Sequence, residues 1–140
     1  MPNYTDTNFV VVLPRDKKDK FLSYFSDWDN PESKPVSDIM LARTWLNSCT
    51  EKESGPGLIE LDIVCTCAWS IISCWIDGYP QERPGDRRTM EQVCLECDVV
   101  SLEGQSIEEG LGFREEFSWK HEEKVFWYEC HDLQGEEDDD

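Results

Sequence analysis

The sequence predicts an α+β fold in one small domain, an N-terminal strand and helices followed by antiparallel strands. Three observations carry this expectation. A β-branched run, NFVVVL at 8–13, gives way to aromatic residues at helical spacing. Later, LIELDIVCTC at 58–67 alternates between apolar and polar residues, the signature of a strand with one buried face. Stretches with Gly and Pro cut the rest into short segments.

In chain order, NFVVVL is closed by Pro14 and reads as a strand. In RDKKDKFLSYFSDW, Phe21, Tyr24, Phe25 and Trp28 recur at i, i+3, i+4 and i+7, which predicts a helix with an aromatic core face. DNPESKP at 29–35 is a loop. VSDIMLARTWLNSC then predicts a second short helix, with Ser37 as N-cap and Met40, Leu41, Thr44 and Trp45 on one side. TEKESGPG at 50–57 breaks the chain again. The alternating strand that follows sets Ile59, Leu61, Ile63, Cys65 and Cys67 on one face against Glu60, Asp62 and Thr66 on the other.

AWSIISCWI is expected to continue as a strand or hairpin partner, and DGYPQERPGDRR at 77–88 is a turn-rich loop carrying Arg83, Arg87 and Arg88. Gly104, Gly110 and Gly112 punctuate an acidic region, and KVFWYECHDL at 124–133 reads as a last apolar strand. No repeat divides the chain, so residues 1–134 form one domain and residues 135–140 an acidic disordered tail.

Composition narrows the function. At 140 residues with 39% hydrophobic and 11% aromatic content, the chain can bury a core despite its charge. Thirteen basic against thirty-one acidic residues give a net charge of −18, which repels phosphates and anionic lipids and favours proteins, metals or basic surfaces as partners. No export signal opens the sequence, and AWSIISCWI is too short to span a bilayer, so a soluble, unsecreted protein is expected. Seven cysteines are then thiols or metal ligands rather than disulfides.

Zinc takes four ligands at tetrahedral corners, and the Cys-x-x-Cys of VCLECD supplies two, Cys94 and Cys97. Cys65 and Cys67, on one strand face, are the expected second pair, with Cys74 in reserve. The antiparallel strands are thus expected to be pinned by one structural zinc. The competing readings are buried thiols and redox use, in which oxidation of the thiolates releases the metal. His121, Cys130 and His131 make a poor second ligand set, and no glycine motif of the oxyanion type flanks a cysteine, so the chain is not expected to be an enzyme.

FVVVLPRDKKDK at 9–20, IVCTCAW at 63–69 and QVCLECD at 92–98 resemble, over roughly the first hundred residues, the first-reading-frame protein of sobemoviruses. That resemblance implies a plant-virus protein that suppresses host RNA silencing and supports virus movement, acting in the host-cell cytoplasm or nucleus with zinc as scaffold. The family pattern of two Cys-x-x-Cys pairs maps directly onto Cys94 and Cys97, and onto Cys65 and Cys67 with one residue fewer between them. The downstream His/Cys site of some relatives is not reproduced by His121, Cys130 and His131.

Host silencing-pathway proteins are the expected partners. Direct RNA contact, through Arg83, Arg87 and Arg88 or Lys17, Lys18 and Lys20, is disfavoured by the net charge. The alternative is an acidic decoy that mimics nucleic acid and occupies a basic host protein, with the net charge and the GEEDDD ending as its motivation.

Overall fold

The computed structural model describes residues 4–27, 40–41, 44–68, 70–77, 87–108 and 112–132. Nine strands lie among them: β1 (Tyr4–Pro14), β2 (Ser26–Asp27), β3 (Met40–Leu41), β4 (Thr44–Glu53), β5 (Leu58–Ala68), β6 (Arg87–Arg88), β7 (Ser101–Glu108), β8 (Phe113–Lys120) and β9 (Val125–Asp132). Two short helices, α1 (Lys18–Leu22) and α2 (Met90–Glu96), join a 3-10 turn at Arg15–Lys17 and a π-helical turn at Ile72–Asp77. The main sheet runs β2-β4-β5-β1-β7-β8-β9. Its six long strands are antiparallel, and only β2 pairs in parallel, with β4.

β1 lies at the centre of this sheet, and its alternation of buried and more exposed residues is unbroken. Phe9, Val11 and Leu13 point into the core beside Ile59, Leu61 and Ile63 of β5, Leu102 of β7, and Phe117 and Trp119 of β8, all buried. Phe21, Tyr24, Phe25, Ile71, Trp75, Met90 and Val93 join the same cluster and cover this face of the sheet. The ring of Phe9 lies 5.6–6.3 Å from those of Phe21, Phe25, Trp75 and Phe117, distances at which offset and edge-to-face pairs attract.

Gly104 sits inside β7 rather than at a break, opposite Phe9 on one side and Phe117 on the other. A Cβ there would come within 2.3 Å of both the Asn8 carbonyl oxygen and the Phe9 Cβ. Backbone cannot move aside cheaply, so the missing side chain is what lets β7 close on β1. Gly104→Ala is expected to destabilise the domain by at least the ~1–3 kcal/mol of an overpacked core, read as a lower urea midpoint with an unchanged slope.

Several expectations are corrected. Where the second helix was expected, the described residues are strand: Met40–Leu41 form β3, and residues 44–53 form β4, running along β5 from Thr44 opposite Cys67 to Glu53 opposite Ile59. A register shift between Leu46 and Ser48 breaks the strand's alternation, which hides the strand pattern in the sequence. TEKE, taken as part of a break, belongs to this strand, and the turn falls after it. The predicted cap Ser37 lies outside the described residues.

The first helix is short, five residues after the 3-10 turn, yet Phe21, Tyr24 and Phe25 are core as expected; Trp28 lies outside the described residues. AWSIISCWI does not continue as a strand: the chain turns into the π-helical segment, burying Ile71, Cys74 and Trp75. The loop at 77–88 ends in β6, which pairs Arg87 with Met40 and Arg88 with Leu41. Arg83 and the acidic ending at 135–140 lie outside the described residues.

VCLECD belongs to α2 and its C-terminus. Thr89 caps that helix, its Oγ1 accepting from the Gln92 N–H at 3.2 Å while the Gln92 side chain accepts from the Thr89 N–H at 2.9 Å. No helix among the described residues is long and apolar enough to cross a membrane.

Candidate functional site

The alternation of β5 turns Cys65 and Cys67 into the core, where Cys74 of the π-helical turn meets them. The Cys67 Sγ lies 3.8 Å from both the Thr7 and Thr44 hydroxyls. Trp75 Nε1 donates to the same Thr44 Oγ1 at 2.9 Å. Burial acts against a thiolate at Cys67, but hydrogen bonds from Cys65, Cys74, Thr44 and Thr7 outweigh it and hold this thiol well below its ordinary pKa. Cys65 is pushed well above, by burial first and then by Cys67.

Cys94 is buried within α2, and Cys97 is its C-cap. Burial pushes Cys94 well above the usual thiol range and Cys97 up to about 11. The end of α2 is tied to the first helical segment, because Tyr24 donates its hydroxyl proton to Glu96 Oε1 at 2.6 Å and Lys20 Nζ donates to the Glu96 carbonyl at 3.3 Å.

A tetrahedral zinc site with Zn–S bonds near 2.3 Å sets its sulfurs about 3.8 Å apart. Among the described residues, the one set offering three His, Cys, Asp or Glu ligand atoms within 4.8 Å of one another is Glu116, Glu129 and His131. Of the four cysteines expected to hold zinc, Cys65 and Cys67 are buried on β5, Cys94 is buried in α2 and Cys97 is buried at its C-cap.

The Glu116, Glu129 and His131 set follows from sheet geometry. Glu129 and His131 are two apart on β9 and share a face, and Glu116 of β8 is the direct partner of Glu129. His131 Nε2 lies 3.0 Å from Glu116 Oε2 and 3.7 Å from Glu129 Oε1. Two carboxylates and an imidazole can hold a divalent cation, with Arg114, 4.0 Å from Glu116, as the competing charge.

Of the downstream residues singled out in the sequence, His131 alone enters this set; His121 is exposed in the turn after β8, and Cys130 is exposed on β9. Zinc binding to the reduced protein, followed by calorimetry, is expected to survive Cys94→Ser. It is expected to fall in His131→Ala by more than the roughly tenfold cost of losing an outer-shell contact. The opposite pattern would place the zinc on the cysteines instead.

Glu115, the neighbour of Glu116, points the other way and is fully buried. Its Oε1 accepts from the Ile71 N–H at 2.9 Å and faces the Ser106 hydroxyl at 3.5 Å, while Oε2 accepts a short hydrogen bond from the Tyr128 hydroxyl. Burial, and next this bond, hold Tyr128 above the usual phenol range. One carboxylate thus fastens the π-helical segment to β7, β8 and β9.

The opposite face of the sheet is open, with Val10 37%, Val64 42% and Trp127 46% exposed. Cross-strand pairing builds a continuous row on it, Asp62, Val10, Glu103, Ser118 and Trp127, running from β5 to β9. A shallow groove of about 400 Å³ over β7, β8 and β9 is lined by Glu103, Gln105, Glu116, Ser118 and Trp127. Lys52 pairs with Glu60 at 2.9 Å, but among the described residues Asp62 and Glu103 have no ion-pair partner. No family model, curated protein or solved structure matches the chain.

Proposed function

We propose that this is a non-enzymatic interaction protein, a virus-encoded suppressor of host RNA silencing that also supports movement, whose open acidic sheet face engages a basic host protein. The observation that carries the mode of action is that face: Asp62 and Glu103, without ion-pair partners among the described residues, and an exposed tryptophan on an antiparallel sheet. The biological role rests on the resemblance of FVVVLPRDKKDK, IVCTCAW and QVCLECD to the sobemovirus proteins.

A non-enzymatic role is supported by the burial of Cys65, Cys67, Cys74, Cys94 and Cys97, and by the engagement of His131 with Glu116. The zinc implied by the resemblance would be held by Cys65, Cys67, Cys94 and Cys97 as a scaffold, and no step of this reading runs through it. Protein partners are favoured over RNA because the chain carries a net charge of −18.

Reversal of silencing in leaves by the well-expressed protein is the expected result, and no reversal would sink the proposal. The acidic face also suits a nucleic-acid-mimicking decoy of a basic host protein. Deleting residues 135–140 separates the two, since it should abolish binding by a decoy built on its acidic ending and leave binding through the sheet face nearly intact.

A further inference from the structure

We infer that the groove over β7, β8 and β9 is an arginine-binding site, taking one guanidinium from an extended basic segment of a partner protein; this deepens the interaction reading above and rests on it. The row Glu103, Ser118, Trp127 puts a carboxylate and an indole on adjacent-but-one strands, about 9–10 Å apart at two strand spacings. Only a small hydroxyl side chain stands between them. A side chain laid across Ser118 can therefore meet the indole and the carboxylate together.

Arginine fits this better than lysine. Its planar guanidinium stacks on an indole face and forks onto a carboxylate, and its weaker hydration lowers the cost of entering a partly covered groove. A lysine ammonium is a point charge and would gain from only one of the two contacts at a time.

Glu103 has no ion-pair partner among the described residues, so an incoming cation displaces nothing there. Glu116, on the groove wall, is already engaged by His131 at 3.0 Å and by Arg114 at 4.0 Å, which leaves Glu103 as the principal anion. The net charge of −18 draws basic segments toward the whole surface, and the Trp127–Glu103 geometry selects among them.

The test is NMR on the full ¹⁵N-labelled chain, with EDTA present so that no cation occupies Glu116, titrated with a short arginine-glycine peptide and its lysine-glycine counterpart. The expected result is movement of the Trp127 indole N–H and of the Glu103 and Ser118 amides, with the arginine peptide binding several-fold tighter. Trp127→Ala and Glu103→Gln, both on the open face and checked for native spectra, should each weaken binding by about tenfold.

Shifts scattered over the acidic surface, equal affinity for the two peptides, or unchanged binding in Trp127→Ala would overturn the inference. A protein that reverses silencing but shows no groove shifts removes the arginine site alone. Groove binding without silencing reversal removes the biological role and leaves the site standing.

Discussion

Replacing Trp75 by alanine is expected to cost about 3–5 kcal/mol, the range for deleting a buried aromatic ring. Trp75 is fully buried at the join between the π-helical segment and the sheet, its ring 5.6 Å from that of Phe9 and 5.1 Å from that of Phe117, both edge-to-face. The substitution empties that space and leaves Thr44 Oγ1 without its indole donor. A domain of this size is stable by roughly 5–15 kcal/mol, so the loss takes a large share and should shift the urea midpoint strongly. Trp75→Phe keeps most of the ring contact and should recover more than half of the loss; equal effects of the two changes would contradict the packing account.

Glu115→Ala is the second large effect, and it acts through polar groups rather than volume. Removing the carboxylate strands the Ile71 N–H and the Ser106 hydroxyl inside the protein and takes the acceptor from the half-buried Tyr128 hydroxyl. Each unmet buried donor costs about 1–3 kcal/mol, so the total is expected to be comparable to that of Trp75→Ala. Glu115→Gln should be intermediate, since one of its two terminal atoms becomes a donor aimed at a donor. Hydrogen exchange distinguishes the mechanism: the Cys74 amide, bonded to the Ser70 carbonyl at 3.0 Å, should lose protection before the β1–β5 ladder does. Uniform loss across the domain would mean that Glu115 is not a local fastener.

Where local pattern and burial agree, the fold was legible. NFVVVL, LIELDIVCTC and KVFWYECHDL became β1, β5 and β9, and each of Ile59, Leu61, Ile63, Cys65 and Cys67 points inward. Phe21, Tyr24 and Phe25 are core although their helix ends early, because the turn after Leu22 still faces the sheet.

β4 was missed because the bulge between Leu46 and Ser48 interrupts its alternation, and pairing along β5 then overrides local preference. The π-helical segment was missed for a related reason. Its start is held by Glu115, forty-four residues away in sequence, and no local signal announces such a partner.

The candidate sites divide in the same way. Which cysteines share a strand face was readable from the period of β5, whereas whether α2 brings Cys94 and Cys97 to Cys65 and Cys67 depends on helix placement, which spacing does not encode. Glu116 and Glu129 were overlooked because their meeting with His131 is set by the β8–β9 register. The alternation of WYECH already placed Glu129 and His131 on one face, and an exposed Trp127 between acidic residues was the available sign of the groove.

The open sheet face, not the cysteine-lined core, is the working surface we propose. Its most direct test is silencing reversal in leaves by a Glu103→Lys, Trp127→Ala double variant, matched to the unaltered protein in expression and in circular dichroism. Loss of reversal with an intact fold is the predicted result; reversal at the unaltered level would contradict the claim.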